Sequence, residues 1–421
     1  MKKLNILFVM IDGGGNVPPM LGLMKQFKNK GHNIYVLSEP CLEEVIVDNG
    51  FHFVPFKEYF TKTDRKEDFF QDHAATLFKN PVFERIIFGP AETVVKQSIQ
   101  AIETLKIDLL MVDVLLFPAL MAAEFLEIPK ALIFHMPEYM PGPNRPPGNM
   151  GVKPGKGPFI RLRDKILGKM LVTKFNQYKT SLNELRAELG LQALKNTVDL
   201  MDQADFRLIQ TLKSFDVPII PAPTNVRYIG PVLDDPDWVA TKEWTSESGE
   251  EQPLVVISFS STFQNQAEVI QNSINALDGL PLRGIVTLGM AMENNQFDVP
   301  ENVTLEKSLK HSLVFPHADI LITHGGHGTL IRALANGVPL ICLPNGRDQK
   351  DNAIKVEMHG CGIKLPRKAN SNKIRSAVES ILNDKSYSKN VNKFRDELLN
   401  FQGMEDVLLE IEEKASFDQV V

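Results

Sequence analysis

No apolar stretch in this chain is both long and free of charge, so none reads as a membrane-crossing helix. The nearest candidate, Leu109 to Phe134, is interrupted by Asp113, Pro118, Glu124, Glu127, Pro129 and Lys130, and reads as strand, helix and strand. No secretory leader is expected either. Lys2 and Lys3 precede an apolar run, but Ile6 to Ile11 is short and passes into Asp12-Gly13-Gly14-Gly15 without a small-residue cleavage site. That run is expected to be a buried first strand, and the protein cytoplasmic. Cysteine is scarce: Cys41, Cys342 and Cys361 are three, an odd number without C-x-x-C spacing, which excludes a disulfide framework and a zinc ribbon. Positive charge is not in excess either. A net charge of -6 gives no footprint for nucleic acid, so no such partner is expected. Neither common phosphate motif occurs in the Gly-rich stretch after Thr323: no Gly-Lys-Ser/Thr closes it, and it lacks the G-x-G-x-x-G pattern.

What is present is a long alternation of apolar strands and helices. At 421 residues the chain exceeds one ordinary core, so two domains are expected. Strands are expected at Asn5–Ile11, Asn33–Ser38, Phe51–Pro55, Asp108–Val112, Ala131–Phe134 and Leu208–Gln210, with helices between several of them. That pattern makes a parallel sheet covered on both faces. The Pro- and Gly-rich loop Met136–Gly157 is too long for a plain connection and is expected to be a lid or binding loop. A second strand–helix series opens at Leu254–Phe259 and continues through Gly284–Leu288 and Asn302–Leu305. The domains are therefore set at 1–215 and 253–400. Residues 216–252 are the linker, and a C-terminal helix lies in 401–421. Trp238, Trp244 and the acidic Glu405–Glu413 segment are candidates for packing across the junction.

The most informative stretch runs from Phe315 to Asn352. Ile320-Leu321-Ile322-Thr323 ends in His324-Gly325-Gly326-His327-Gly328-Thr329, and a helix-like segment follows from Leu330 to Ala335. Strand, Gly-rich loop and helix N-terminus form an anion site, because orphan N–H groups and the helix dipole point the same way. A second short strand, Val338 to Pro344, ends beside Asp348 and Gln349, which suit sugar hydroxyls.

This run resembles the donor-site signature of the family 1 nucleotide-sugar-dependent glycosyltransferases, which include bacterial macrolide glycosyltransferases and plant UDP-glycosyltransferases. The resemblance implies the α/β GT-B fold, with two Rossmann-like doubly wound domains facing across a cleft. It implies that His324, Gly326, Gly328 and Thr329 contact the diphosphate, that Asp348 and Gln349 bind the sugar, and that Asn352 adds a polar contact. Ser260, Ser261 and Thr262 match a second turn facing the phosphates; an ordinary polar turn is the alternative. The donor is then a UDP or dTDP sugar serving as co-substrate, with no cofactor. No metal site is expected. The Gly-Gly between His324 and His327 positions backbone rather than ligands, and Asp235-Pro236-Asp237 lies in a Pro-rich linker.

Two departures stand out. Many UDP-using relatives have a Glu three residues after the loop Ser/Thr, bonding the ribose hydroxyls; here Arg332 occupies it and cannot accept those bonds. Relatives also carry G-H-x-x-P after the first strand, the His acting as general base. This chain has Gly15-Asn16-Val17-Pro18-Pro19, so Asn16 stands where the base belongs. Asp113 matches the carboxylate that orients that His, and could act as base itself or merely cap the following helix. Asp12 is a second candidate, and His135, opening the long loop, matches a His of several relatives. His73 and the aromatic residues around it could reach the cleft. Met136, Tyr139 and Met140 would suit a flat acceptor, or simply be core.

The expected activity is an inverting, metal-independent transfer of a hexose from a nucleotide diphosphate sugar to a hydroxyl of a small lipophilic or aromatic natural product. The chain would be a monomer or homodimer. The alternatives are a catalytically inactive GT-B helper protein and a sugar-nucleotide epimerase.

Overall fold

Short apolar strands alternating with helices form two parallel sheets in the computed structural model, which describes residues 3–64, 83–142, 145–235, 239, 244, 252–259, 266–289, 292–293 and 296–417. The strands of the first domain are β1 (Asn5–Val9), β2 (Asn33–Ser38), β3 (His52–Pro55), β4 (Leu109–Asp113), β5 (Lys130–Phe134), β6 (Phe206–Ile209) and β7 (Val226–Tyr228). Their order in the sheet is β3-β2-β1-β4-β5-β6-β7. The second domain carries β8 (Leu254–Ser258), β9 (Arg283–Thr287), β10 (Val303–Glu306), β11 (Ile320–Thr323), β12 (Leu340–Cys342) and β13 (Gly362–Lys364), in the order β10-β9-β8-β11-β12-β13.

Each sheet is apolar on both faces because helices cover both. In β1 and β4, Leu7, Val9, Leu110 and Val112 join one core while Ile6, Phe8, Leu109 and Met111 join the other. In β8, Val255 and Ile257 pack on one side and Leu254 and Val256 on the other. This doubly wound pattern places the reversal of strand order between β1 and β4 in one domain and between β8 and β11 in the other. Loops leaving the carboxyl ends at such a reversal diverge and leave a crevice. Here the two crevices face each other across one cleft.

The range expected as linker is not all linker. Val226–Tyr228 pairs in parallel with Arg207–Ile209, so the first sheet extends into it. The helix Gly403–Phe417 returns to the first domain, where Val407, Leu408, Ile411 and Ala415 pack with Ile6 and Phe8. Glu412 lies 3.1 Å from His32 Nε2 and 3.3 Å from Lys30 Nζ, and Arg227 donates from Nε and Nη2 to the two Glu410 carboxylate oxygens at 2.9 and 2.6 Å. Of the two tryptophans, Trp244 packs beside His317 with ring centroids 5.5 Å apart, and Trp238 lies outside the described residues.

A buried charge network ties the domains together. Asp216, just past β6, pairs with Lys355 of the helix Gln349–Met358 at 2.9 Å and accepts from Tyr228 Oη at 2.9 Å. Burial alone would raise its pKa; Lys355 and Arg145 outweigh that and hold the carboxyl below its ordinary range. Arg145, from the long loop, also reaches Glu138 at 3.3 Å. Farther along that loop, Gly151 N donates to Asp351 of the second domain at 2.7 Å, as does Asn149 N. The loop thus bridges the cleft.

Candidate active site

Both crevices contribute to one cavity of about 800 Å³. On the second domain's side, β11 ends at Thr323 and the chain turns through Gly325, whose φ of +86° lies in the left-handed region that favours glycine. A side chain there would also stand 3.4 Å from Gln349 O. At Gly326 an added Cβ would come within 2.6 Å of His324 Nε2, so the imidazole lies over bare backbone. Gly326 is the N-cap of the helix His327–Ala335 and makes no side-chain capping bond, which leaves first-turn N–H groups at the cleft. His324 rests against Phe259, centroids 6.3 Å apart; burial, aided by Arg347, pushes its pKa down to about 4. It is a neutral ring at neutral pH.

Asp348 and Gln349 open the helix Gln349–Met358 on the same wall. Gln349 Oε1 accepts from Asn345 N at 2.8 Å and Gly346 N at 3.1 Å, which fixes the side chain. Asp348 has its pKa raised by burial, an effect moderated by the bond from Asn352 and by the nearby His135 and Arg347. Asn352 does not line the cavity. Its Nδ2 donates to Gly325 O at 3.0 Å and to Asp348 Oδ2 at 2.7 Å. Asn352, expected to add a polar contact to the donor, ties the glycine turn to the Asp348 carboxylate.

His324, Gly326, Gly328, Thr329, Asp348 and Gln349 all line the cavity. Ser260, Ser261 and Thr262 lie outside the described residues. A polar group absent from the sequence reading sits nearby instead. Ser258, at the end of β8, accepts from Thr287 Oγ1 at 2.9 Å and lies 3.2 Å from His311 Nε2. Burial lowers the His311 pKa to about 3. Ser258 and Thr287 are the last residues of their strands, a position that points to ligand in parallel sheets and was the available signal.

On the first domain's side the three candidates come from three strand ends. Asn16 lines the cavity, but its amide is fully engaged: Nδ2 donates to Ile11 O at 2.9 Å and Asp113 Oδ2 at 2.8 Å, while Oδ1 accepts from Gly13 N at 2.9 Å. Asn16 therefore holds the loop rather than a proton. Asp113 is 0% exposed, does not line the cavity, and caps the following turn by accepting from Leu115 N at 2.8 Å. Asn16 Nδ2 occupies the Oδ2 side of this carboxylate at 2.8 Å. His135 does line the cavity, and its Nδ1 lies 3.5 Å from Asp113 Oδ2. Asp12 is a turn former: its Oδ1 accepts from Gly14 N at 2.9 Å and its Oδ2 lies 3.5 Å from Lys62. His73 falls outside the described residues.

Beyond His135 the walls are apolar, with Phe83, Ile87, Leu115, Met136, Tyr139 and Phe175. Met140 is core. Among the described residues no three of His, Cys, Asp or Glu cluster as metal ligands.

Known proteins agree with this architecture. Residues 156–398 match the sequence profile of the family described as UDP-glucoronosyl and UDP-glucosyl transferase. The 4'-demethylrebeccamycin synthase of Lentzea aerocolonigenes is 25% identical over 403 residues, spanning 93% of this chain and 95% of that protein. Among solved structures, the glycotransferase of kitacinnamycin superposes with a TM-score of 0.77 at 20% identity, over 98% of this chain and 99% of that one. Glycosyltransferase VinC, in complex with dTDP, superposes with a TM-score of 0.70 at 16% identity, over 98% and 100%.

Proposed function

With more than half of its length matching their profile, this chain belongs to the UDP-glucuronosyl and UDP-glucosyl transferases and is a glycosyltransferase of GT-B fold, and on that premise we propose that it moves a hexose from a nucleotide diphosphate sugar to a hydroxyl of a small lipophilic natural product, with inversion. One observation carries the reading. A neutral-His and glycine anion loop, a sugar-facing Asp348-Gln349 pair and a His backed by a carboxylate line a single cavity.

In the proposed reaction the diphosphate rests on the amides before the helix His327–Ala335, with His324 and Thr329 as side-chain donors. Asp348 and Gln349 hold the hexose hydroxyls. His135 accepts the proton of the acceptor hydroxyl while Asp113, behind it, favours the imidazolium that forms. The acceptor oxygen bonds to the anomeric carbon from the face opposite the diphosphate, and the anomeric carbon–oxygen bond breaks with its electron pair leaving on the diphosphate. Negative charge developing there is met by loop amides, the helix dipole and Arg347, which lines the same wall, so no metal is required. The apolar walls and the bridging loop exclude water that would hydrolyse the donor.

Arg332 bears on the nucleotide. It lines the cavity and donates to Leu233 O at 3.2 Å and to Asp234 O, so a cation occupies the place where relatives bind ribose with a Glu. That favours a dTDP sugar, whose ring has no 2′-hydroxyl. VinC, a structural neighbour, is a dTDP complex.

The test is incubation with UDP-glucose and dTDP-glucose, EDTA present, against a panel of phenols and macrolides, read by mass gain of one hexose and the anomeric configuration of the product. Transfer with inversion from dTDP-glucose is expected. Nucleotide binding with no transfer to any acceptor would favour a helper protein, and an altered donor would favour an epimerase.

A further inference from the structure

The helix Pro158–Phe175 is apolar on two opposite faces, and only one of them is used by the fold. On the inner face, Gly168 sits so close to Pro141 that an added Cβ would stand 3.1 Å away, and Phe175 packs on Phe83 with centroids 4.6 Å apart. On the outer face Phe159, Leu162, Ile166 and Met170 are 86%, 56%, 51% and 45% exposed. Their spacing of three, four and four residues sets them in one line along the helix. Lys165 and Lys169 run beside that ridge on one flank, and Arg163 on the other. The helix's one acidic residue, Asp164, is buried and bonded to Arg163 at 2.7 Å. Lys153 and Lys156 add charge just upstream. This basic segment belongs to a chain whose net charge is -6.

We propose that this helix docks in the plane of an anionic lipid surface, ridge inward and basic flanks on the headgroups. An apolar ridge between two basic flanks is the pattern that such interfaces bind, through buried side chains plus charge attraction. The helix lies in the surface rather than through it, since no helix among the described residues is long and apolar enough to cross. A second copy of the chain fits the ridge less well: ridge against ridge would bring basic flanks onto basic flanks. The place in the fold gives the docking a use. Met170, the last residue of the ridge, also lines the cavity, next to Leu171 and Phe175. A lipophilic acceptor dissolved in the bilayer would pass along the ridge into the cleft without crossing water. That route, unlike the docking itself, rests on the transferase reading.

Flotation of the full chain with vesicles tests the docking. Binding to vesicles of phosphatidylcholine with phosphatidylglycerol is expected, with little binding to phosphatidylcholine alone and release by high salt. Phe159→Glu with Ile166→Glu, and separately Lys165→Glu with Lys169→Glu, should each lower the partition coefficient by more than about tenfold. None of these four lines the cavity, so transfer to a water-soluble phenol without vesicles stays unchanged in both variants. Failure to float with anionic vesicles, or equal flotation of the variants, overturns the proposal. So does a vesicle-free dimer, seen by sedimentation, that Ile166→Glu splits. A chain that floats as expected yet transfers nothing refutes the transferase reading alone.

Discussion

If His135 takes the acceptor proton, replacing it should hurt in proportion to how tightly the acceptor holds that proton. His135→Gln keeps the size and polarity of the side chain but removes the group that accepts a proton. Positioned general-base catalysis contributes about 10²- to 10⁴-fold, which is roughly 3–5 kcal/mol of barrier. An aliphatic alcohol, with a proton held about as tightly as that of water, should lose all of it. A nitrophenol largely ionised in neutral buffer needs no base and should lose less than about threefold. The assay is kcat, by product mass, over an acceptor series of graded acidity. Log kcat against acceptor pKa should be shallow for the native chain and steep for the variant. Asp113→Asn makes the companion. Both of its carboxylate oxygens accept N–H donors, from Leu115 N and Asn16 Nδ2, each at 2.8 Å. An amide offers one acceptor oxygen in their place, so one donor is left facing an NH₂, at a stability cost of about 1–3 kcal/mol. Its alcohol-specific loss should fall short of that of His135→Gln. Two parallel lines, offset equally for every acceptor, would refute His135 as base and leave it a positioning role.

Two further outcomes follow from buried charge. His327 is buried beneath Gln210 O, and burial holds its pKa near 4, so between the ordinary value of 6.5 and 4 the unfolded chain binds a proton that the folded chain does not. Stability is therefore full above pH 6.5 and lost as pH falls toward 4, by about 2 kcal/mol at pH 5 from this residue. His324 and His311 act in the same direction, while Glu39, whose pKa burial raises to about 6, opposes them. The difference in urea unfolding between pH 7 and pH 5 should shrink by about that amount in His327→Gln, and an unchanged difference would count against the buried neutral ring. At the domain junction, Lys355→Met leaves Asp216 buried with one cation, Arg145 at 3.8 Å, beside the neutral donors Tyr228 Oη, Val217 N and Glu138 N. Thermal melting should report a loss of about 3 kcal/mol, largely recovered by adding Asp216→Asn; a loss below about 1 kcal/mol would mean that Lys355 is dispensable.

The strands that position the site were readable in the sequence because both their faces are buried, which writes each as an unbroken apolar run: Ile6-Leu7-Phe8-Val9, Leu254-Val255-Val256-Ile257, Ile320-Leu321-Ile322. The elements that escaped share the opposite property. Val226–Tyr228 is a three-residue, half-buried edge strand behind a Pro-rich stretch, too short to show any period. The helix Gln349–Met358 buries Gln349, Asn352 and Lys355, polar residues facing the cleft and the junction, so no apolar stripe marks it. In the helix Pro158–Phe175 two apolar faces cancel the one-sided pattern by which a helix is recognised.

The same contrast governs the site. Its second-domain half is contiguous: strand, turn and helix deliver His324, Gly326, Thr329, Asp348 and Gln349 within one stretch, and chain order alone nearly fixes their neighbourhood. The acceptor half is assembled from the ends of β1, β4 and β5, with Asn16 and Asp113 97 residues apart, and sequence cannot say which of three side chains faces the cavity. In the structure Asn16 and His135 both line the cavity, and their hydrogen bonds differ. Asn16 spends both amide hydrogens and its oxygen on Ile11, Asp113 and Gly13. Asp113 Oδ2, 2.8 Å from Asn16 Nδ2 and 3.5 Å from His135 Nδ1, touches both positions. In the proposed reaction the base sits at the end of β5 instead of in the loop after β1, two strands away in the sheet, and has the same carboxylate of β4 behind it. On the proposed reading, a His absent from the first loop therefore moves proton transfer to another position on the same carboxylate instead of abolishing it.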